Sequence, residues 1–99
     1  MLFEFRDRNL ERLFREEAGP LKSKYSASVL RQFALVMQII DTAKDERDLR
    51  AFKGRRFEKL QGSRTHHYSM RLDIQFRLTL EMKGTSPETI VVVSIEDYH

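Results

Sequence analysis

His67-Tyr68-Ser69-Met70-Arg71-Leu72-Asp73-Ile74-Gln75-Phe76-Arg77-Leu78-Thr79-Leu80-Glu81-Met82 is the stretch whose reading decides the fold. Successive side chains of an extended strand point to opposite faces, so a half-buried strand alternates polar with apolar residues. From Phe76, the residues Phe76, Leu78, Leu80 and Met82 share one face, and Arg77, Thr79 and Glu81 share the other. From His67, the residues His67, Ser69 and Arg71 oppose Tyr68, Met70 and Leu72. Asp73-Ile74-Gln75 is a short connector, and strands joined so briefly pair antiparallel. One face of this hairpin is apolar and needs a cover. The other presents His67, Arg71 and Arg77. A solvated face would show the same alternation, so periodicity alone does not make it a ligand surface.

Downstream, 83–88 reads as a loop, and Thr89 to Ile95 is a continuous β-branched run. That is the composition of a central strand buried on both faces. Upstream, Arg56 to Leu60 alternates enough for a strand, followed by a turn at 62–65. Before Gly54 the period becomes helical. Tyr25, Val29, Phe33, Val36, Met37 and Ile40 repeat every three or four residues from about Ser23 to Thr42, with Ser23 or Ser26 as cap. Asp41 to Asp48 is a polar break, and Leu49 to Phe52 adds one helical turn. Leu10, Leu13 and Phe14 predict an earlier helix over Arg6 to Glu17, with Asp7 as its cap and Gly19-Pro20 as its stop. Leu2 to Phe5 is a short strand. The sum is a single α+β domain over residues 1–99: a small, mostly antiparallel β-sheet covered on one face by two N-terminal α-helices.

Composition narrows the chemistry. Of 99 residues, 40% are hydrophobic and a third charged, which suits one modest core. There is no cysteine, so no disulfide framework, thiolate nucleophile or thiolate zinc site is available. Three histidines, two of them adjacent, argue against a histidine-rich metal site. The expectation is no cofactor and no metal. No apolar run approaches the roughly 20 residues that span a bilayer, and Met1 to Arg6 mixes acid and base, unlike a secretory signal. We expect a soluble, cytoplasmic protein with no membrane partner.

Net charge is +3, and its distribution is uneven. Residues 52–77 hold seven basic side chains (Lys53, Arg55, Arg56, Lys59, Arg64, Arg71, Arg77) against two acids, Glu58 and Asp73. Such a block is the footprint of a polyanion partner, although a solvated basic surface has the same composition. Arginine predominates, and its planar fork suits phosphate. Phe57, His66, His67, Tyr68 and Phe76 are interleaved with the bases and are candidates to stack on exposed nucleobases.

Three pieces carry a family resemblance: Arg56-Phe57-Glu58-Lys59-Leu60-Gln61-Gly62-Ser63-Arg64; Tyr68-Ser69-Met70-Arg71-Leu72 followed by Gln75-Phe76-Arg77-Leu78-Thr79; and Ile95-Glu96-Asp97-Tyr98-His99. In this order and spacing the chain resembles the HigB-type toxins of the RelE/ParE toxin–antitoxin superfamily, over nearly its whole length. The resemblance implies a RelE-like fold and a metal-independent endoribonuclease, an mRNA interferase that cuts mRNA in the ribosomal A site and so inhibits translation. It also implies a cognate HigA-like helix-turn-helix antitoxin, with operator DNA reached only through that antitoxin. The family's strand arginine falls on Arg77 and its C-terminal triplet on Asp97, Tyr98 and His99. Its basic loop falls around Lys59 and Arg64. Some members carry a histidine at Glu58 and a lysine at Gln61, so acid–base roles here pass to other groups, Glu58 itself or His67.

The chemistry needs few parts. The 2′-hydroxyl attacks the adjacent phosphate, one group takes its proton, another protonates the leaving 5′-oxygen, and fixed cations hold the growing charge. An unperturbed imidazole titrates nearest neutrality, which makes His99 the candidate general acid or base, and a neighbouring carboxylate such as Asp97 favours the protonated ring, which suits a general acid. Arg77 is the candidate phosphate clamp, supported by Arg64, Arg71 or Lys59. Tyr98 is placed to stack on a base or bond the phosphate, and Glu58 is a candidate base. Two other readings share the fold: a non-enzymatic ParE-like gyrase poison, and an RNA-binding module that leaves its RNA intact.

Overall fold

The computed structural model describes residues 1–15, 24–62, 66–85 and 87–97. The chain runs β1 (Leu2–Phe5), α1 (Arg8–Phe14), α2 (Ala27–Thr42), α3 (Glu46–Ala51), a 3₁₀ turn (Lys53–Arg55), β2 (Glu58–Lys59), β3 (His67–Arg71), β4 (Phe76–Lys83) and β5 (Thr89–Asp97). It is α+β, with one five-stranded sheet in the order β1-β5-β4-β3-β2. Neighbours pair antiparallel except β1, which lies parallel to β5. Placing the first strand beside the last requires the helices between them as a crossover, because parallel strands cannot be joined by a tight turn.

Each helix starts where a side chain caps it. The Asp7 carboxylate accepts from the backbone N–H of Asn9 at 2.7 Å, and Ser26 Oγ accepts from that of Val29 at 3.2 Å. Ser26 is therefore the cap of α2; the alternative, Ser23, lies outside the described residues. Asp45 caps α3 through the N–H of Arg47 at 2.9 Å. That cap turns half of the expected polar break into a third helix, which buries Leu49 completely. Conversely, the strand expected over Arg56 to Leu60 shrinks to Glu58–Lys59, because Arg56 adopts a left-handed φ of 47° after the 3₁₀ turn.

Val29, Phe33, Val36, Met37 and Ile40 of α2 share one core with Leu10, Leu49, Met70, Leu78, Leu80, Ile90, Val92 and Ile95. Each such side chain contributes about 1.5–3 kcal/mol on full burial. Phe3 and Phe5 of β1 extend the core to Phe14 of α1, with ring centroids 5.5–5.9 Å apart. The β-branched run is an interior strand between β1 and β4, as expected, but it is not buried on both faces: Ser94 and Glu96 on its polar face are partly exposed. One irregularity sets its phase. Thr79 pairs with Ser94, but Leu80 pairs with Val92, so Val93 is a bulged extra residue. The bulge lets Ile90, Val92 and Ile95 all join the core, while Val91, Ser94 and Glu96 turn to the other face. Among the described residues no helix is long and apolar enough to cross a membrane.

Candidate functional site

The sheet face turned away from the core is polar and ordered in rows by strand register. One row runs Glu58, Ser69, Thr79, Ser94 across β2, β3, β4 and β5. The next, toward the C-terminal end of β5, is Arg71, Arg77, Glu96. The third, on the opposite side, is His67, Glu81, Val91, Glu4. Directly opposed residues of an antiparallel pair have Cβ atoms about 4.5–5.5 Å apart, and diagonal neighbours about 7–8 Å. Arg71 and Arg77 are thus adjacent cations, and Glu58 is diagonal to both His67 and Arg71.

Polar contacts fix this face. Thr79 is fully buried, and its hydroxyl donates to Glu96 Oε2 at 2.8 Å; the Ser94 hydroxyl donates to the same oxygen at 2.9 Å. Two hydroxyls therefore hold the Glu96 carboxylate, whose strand position faces Arg77. Like charges set opposite each other, as Arg71 and Arg77 are, cost stability, and a fixed carboxylate in the same row offsets part of that. Arg71 Nε donates to the Asp73 carbonyl at 3.1 Å, which aims its guanidinium along the hairpin end.

In the third row Arg6 forks onto Glu81, with nitrogen–oxygen distances of 2.5 and 2.7 Å. His67 Nε2 lies 2.8 Å from Glu81 Oε2. The Arg6 hydrogen bonds hold the Glu81 carboxyl below the usual carboxylate range, against the opposing effect of its partial burial. His67 Nδ1 is buried and has no hydrogen-bond partner among the described residues. The exposed ring of His66 lies beside that of His67, their centroids 4.2 Å apart. One ligand atom from each of His66, His67 and Glu81 falls within 4.8 Å of the others. Reading by sequence missed this cluster because Glu81 comes from the next strand.

The structure brings together Arg77, Arg71, His67 and Glu58 on one face. It does not bring Lys59 there. Lys59 pairs with Tyr68, so it projects on the core side of the edge strand. Asp97 pairs with Phe76, also on the side away from Arg77, and its Oδ2 accepts from Gln75 Nε2 at 3.1 Å. Arg64, Tyr98 and His99 lie outside the described residues.

Two features of the basic block also read differently in three dimensions. Arg55 donates to the carbonyls of Arg71 and Leu72 at 3.2 and 3.1 Å and to Gln32 Oε1 at 2.8 Å, so it ties α2 to the end of β3. Most of the interleaved aromatics are occupied as well. Phe57 is buried and stacks on Tyr68 at 5.3 Å, with the Arg50 guanidinium carbon 5.0 Å from its ring centroid, and Phe76 packs edge-on against Tyr25. Of the five proposed stacking rings, only His66 is exposed.

Residues 3–99 match the family model described as the RelE-like toxin of the type II toxin–antitoxin system HigB. The chain is 31% identical over 83 residues to toxin HigB-1 of Vibrio cholerae serotype O1, covering 82% of this chain and 83% of that one. A solved structure titled YoeB/ParE toxin from Agrobacterium tumefaciens superposes with a TM-score of 0.58 over the full length of both chains, at 14% identity, which speaks to fold alone.

Proposed function

The chain belongs to the HigB-like family of RelE-like toxins of type II toxin–antitoxin systems, and from that membership we propose that it is an endoribonuclease that cuts mRNA on the translating ribosome. Such a toxin has an antitoxin partner; here we assign a HigA-like helix-turn-helix protein, and the cytoplasm, where ribosomes work, as the site of action.

One observation carries the reading: Arg71 and Arg77 stand directly opposite each other on the polar face, beside the strand that leads to the chain's C-terminal Asp97-Tyr98-His99. Two adjacent guanidinium groups offer planar, charge-assisted donors that suit the non-bridging oxygens of an RNA phosphate. In the proposed reaction the 2′-hydroxyl loses its proton to a base, for which Glu58 is the candidate on this face. The 2′-oxygen then bonds to phosphorus and the bond to the 5′-oxygen breaks. His99 gives the leaving oxygen its proton, leaving a 2′,3′-cyclic phosphate. Arg77 and Arg71 hold the non-bridging oxygens as charge builds on them, and Tyr98 stacks on or bonds to the substrate. Lys59, which lies outside this face, acts along the approaching RNA, the role also assigned to Arg64, and His67 contacts RNA at the far row. No step draws on a metal or cofactor.

The test is cleavage of a defined mRNA in a reconstituted translation system, mapped by primer extension, for wild type beside His99→Ala. Cuts that require ribosomes and disappear in the variant support the reading. Intact mRNA with folded wild-type protein refutes it, and DNA breakage on expression would then favour a gyrase poison.

A further inference from the structure

We propose that His66, His67 and Glu81 form a binding site for one divalent transition-metal ion of the zinc or cobalt class, at the far row of the polar face. Two imidazoles and one carboxylate suit these metals, whereas calcium and magnesium take oxygen donors almost exclusively. Three protein ligands leave a fourth tetrahedral position for water.

The platform is built by register. His67 and Glu81 are directly opposed on β3 and β4, and both side chains are largely covered, at 15% and 19% exposure. Their nitrogen and oxygen already stand 2.8 Å apart. Zinc binds nitrogen and oxygen at about 2.0–2.2 Å, so its tetrahedral ligands lie about 3.3 Å from one another. The three donor atoms are within 4.8 Å, and the remaining closure falls to His66, which is exposed and precedes the strand.

Arg6 sets the strength of this site. Its fork on Glu81 occupies the oxygens that a metal needs, and its charge repels a cation. Arg6 is also half-exposed, so its side chain can swing into solvent. Metal and Arg6 therefore compete for one carboxylate. His67 lacks the outer hydrogen bond that usually anchors a ligating imidazole, since its Nδ1 has no partner among the described residues. Both facts make binding weaker than in closed four-ligand structural sites. The ion would be exchangeable, and it would take His67 and Glu81 out of use. If the proposed nuclease reading holds, zinc is an inhibitor that acts from the edge of the RNA face; the binding itself does not depend on that reading.

The experiment uses the full chain without a histidine tag. Cobalt titration is followed by visible ligand-field absorption, and zinc affinity is measured by competition with a chromogenic chelator. One ion per chain is expected. His66→Ala and Glu81→Gln each weaken zinc binding by about tenfold or more, while Arg6→Gln strengthens it. Circular dichroism of each variant reports the fold, and His66→Ala, altering an exposed side chain, keeps the comparison valid should Glu81→Gln fail to fold. Absence of saturable binding at one ion per chain, an affinity unchanged by His66→Ala, or weaker binding in folded Arg6→Gln overturns the proposal. mRNA cleavage with and without zinc then separates the two readings: a protein that binds zinc but never cuts retains the metal site and loses the nuclease.

Discussion

Replacing Arg77 by glutamine should separate function from stability. The substitution keeps most of the side-chain volume and removes the charge. If a phosphate is held between Arg71 and Arg77, the variant loses a charge-assisted contact worth about 1.5–3 kcal/mol. Loss of one preorganised donor to a developing oxyanion costs about 10²–10³-fold in rate. The fold should barely notice. Arg77 faces Arg71 on one side and Glu96 on the other. Opposed like charges cost about 0.2–1 kcal/mol, and the facing carboxylate returns a similar amount. These two strand neighbours together change stability by no more than about 1 kcal/mol, or about 4–8 °C in melting midpoint for a domain of this size. Arg71→Gln should lose less activity, because Arg71 is already committed to the Asp73 carbonyl. The assay is the single-turnover cleavage rate on programmed ribosomes, paired with urea denaturation of each variant. An Arg77→Gln protein that is folded and cuts within a few-fold of wild type would refute the clamp. So would a stability loss large enough to explain the lost activity.

Other outcomes follow from the core, a cap and an ion pair. Phe33→Ala, which empties the centre of α2's buried stripe, should cost about 3–5 kcal/mol in urea denaturation. Ser26→Ala removes the cap of α2 and should cost about 1 kcal/mol by the same measurement, with a loss near zero showing that the cap is idle. Glu81 titrates below the usual carboxylate range in the folded protein, chiefly through its hydrogen bonds to Arg6. Its contribution is then complete above the ordinary carboxylate pKa of about 4.3 and is lost as pH falls through the lowered folded value. Urea midpoints of wild type and Arg6→Gln should therefore differ at pH 7 and converge toward pH 3; a gap that persists at low pH assigns the effect to packing instead.

Much of the fold was legible because it is local. The three-and-four spacing from Val29 to Ile40 specifies a buried helix face whatever lies against it, and a hydroxyl or carboxylate just ahead of the pattern marks its start. Asp45 was the cap passed over: Leu49 to Phe52 reads as a helical turn, but residues 44–48 are all charged, and no apolar residue there marks where the helix starts. Alternation in β3 and β4 likewise fixed which residues share a face, and so put His67, Arg71 and Arg77 together. The family motifs, being linear, were legible for the same reason.

The sequence by itself therefore determined the element types, the polar and apolar faces of the central hairpin, and the toxin family. Tertiary structure decided everything that depends on register between distant segments. It set β1 parallel beside β5, bulged β5 at Val93, and aligned Arg71 with Arg77 and Glu96. It turned Lys59 to the core side, spent Arg55, Phe57 and Tyr68 on packing, and brought Arg6, His66, His67 and Glu81 into one cluster. The physical reason is the pleat. A strand's own pattern fixes its two faces, but a slip of one residue against its neighbour exchanges them, and only the packing of the whole core chooses the slip.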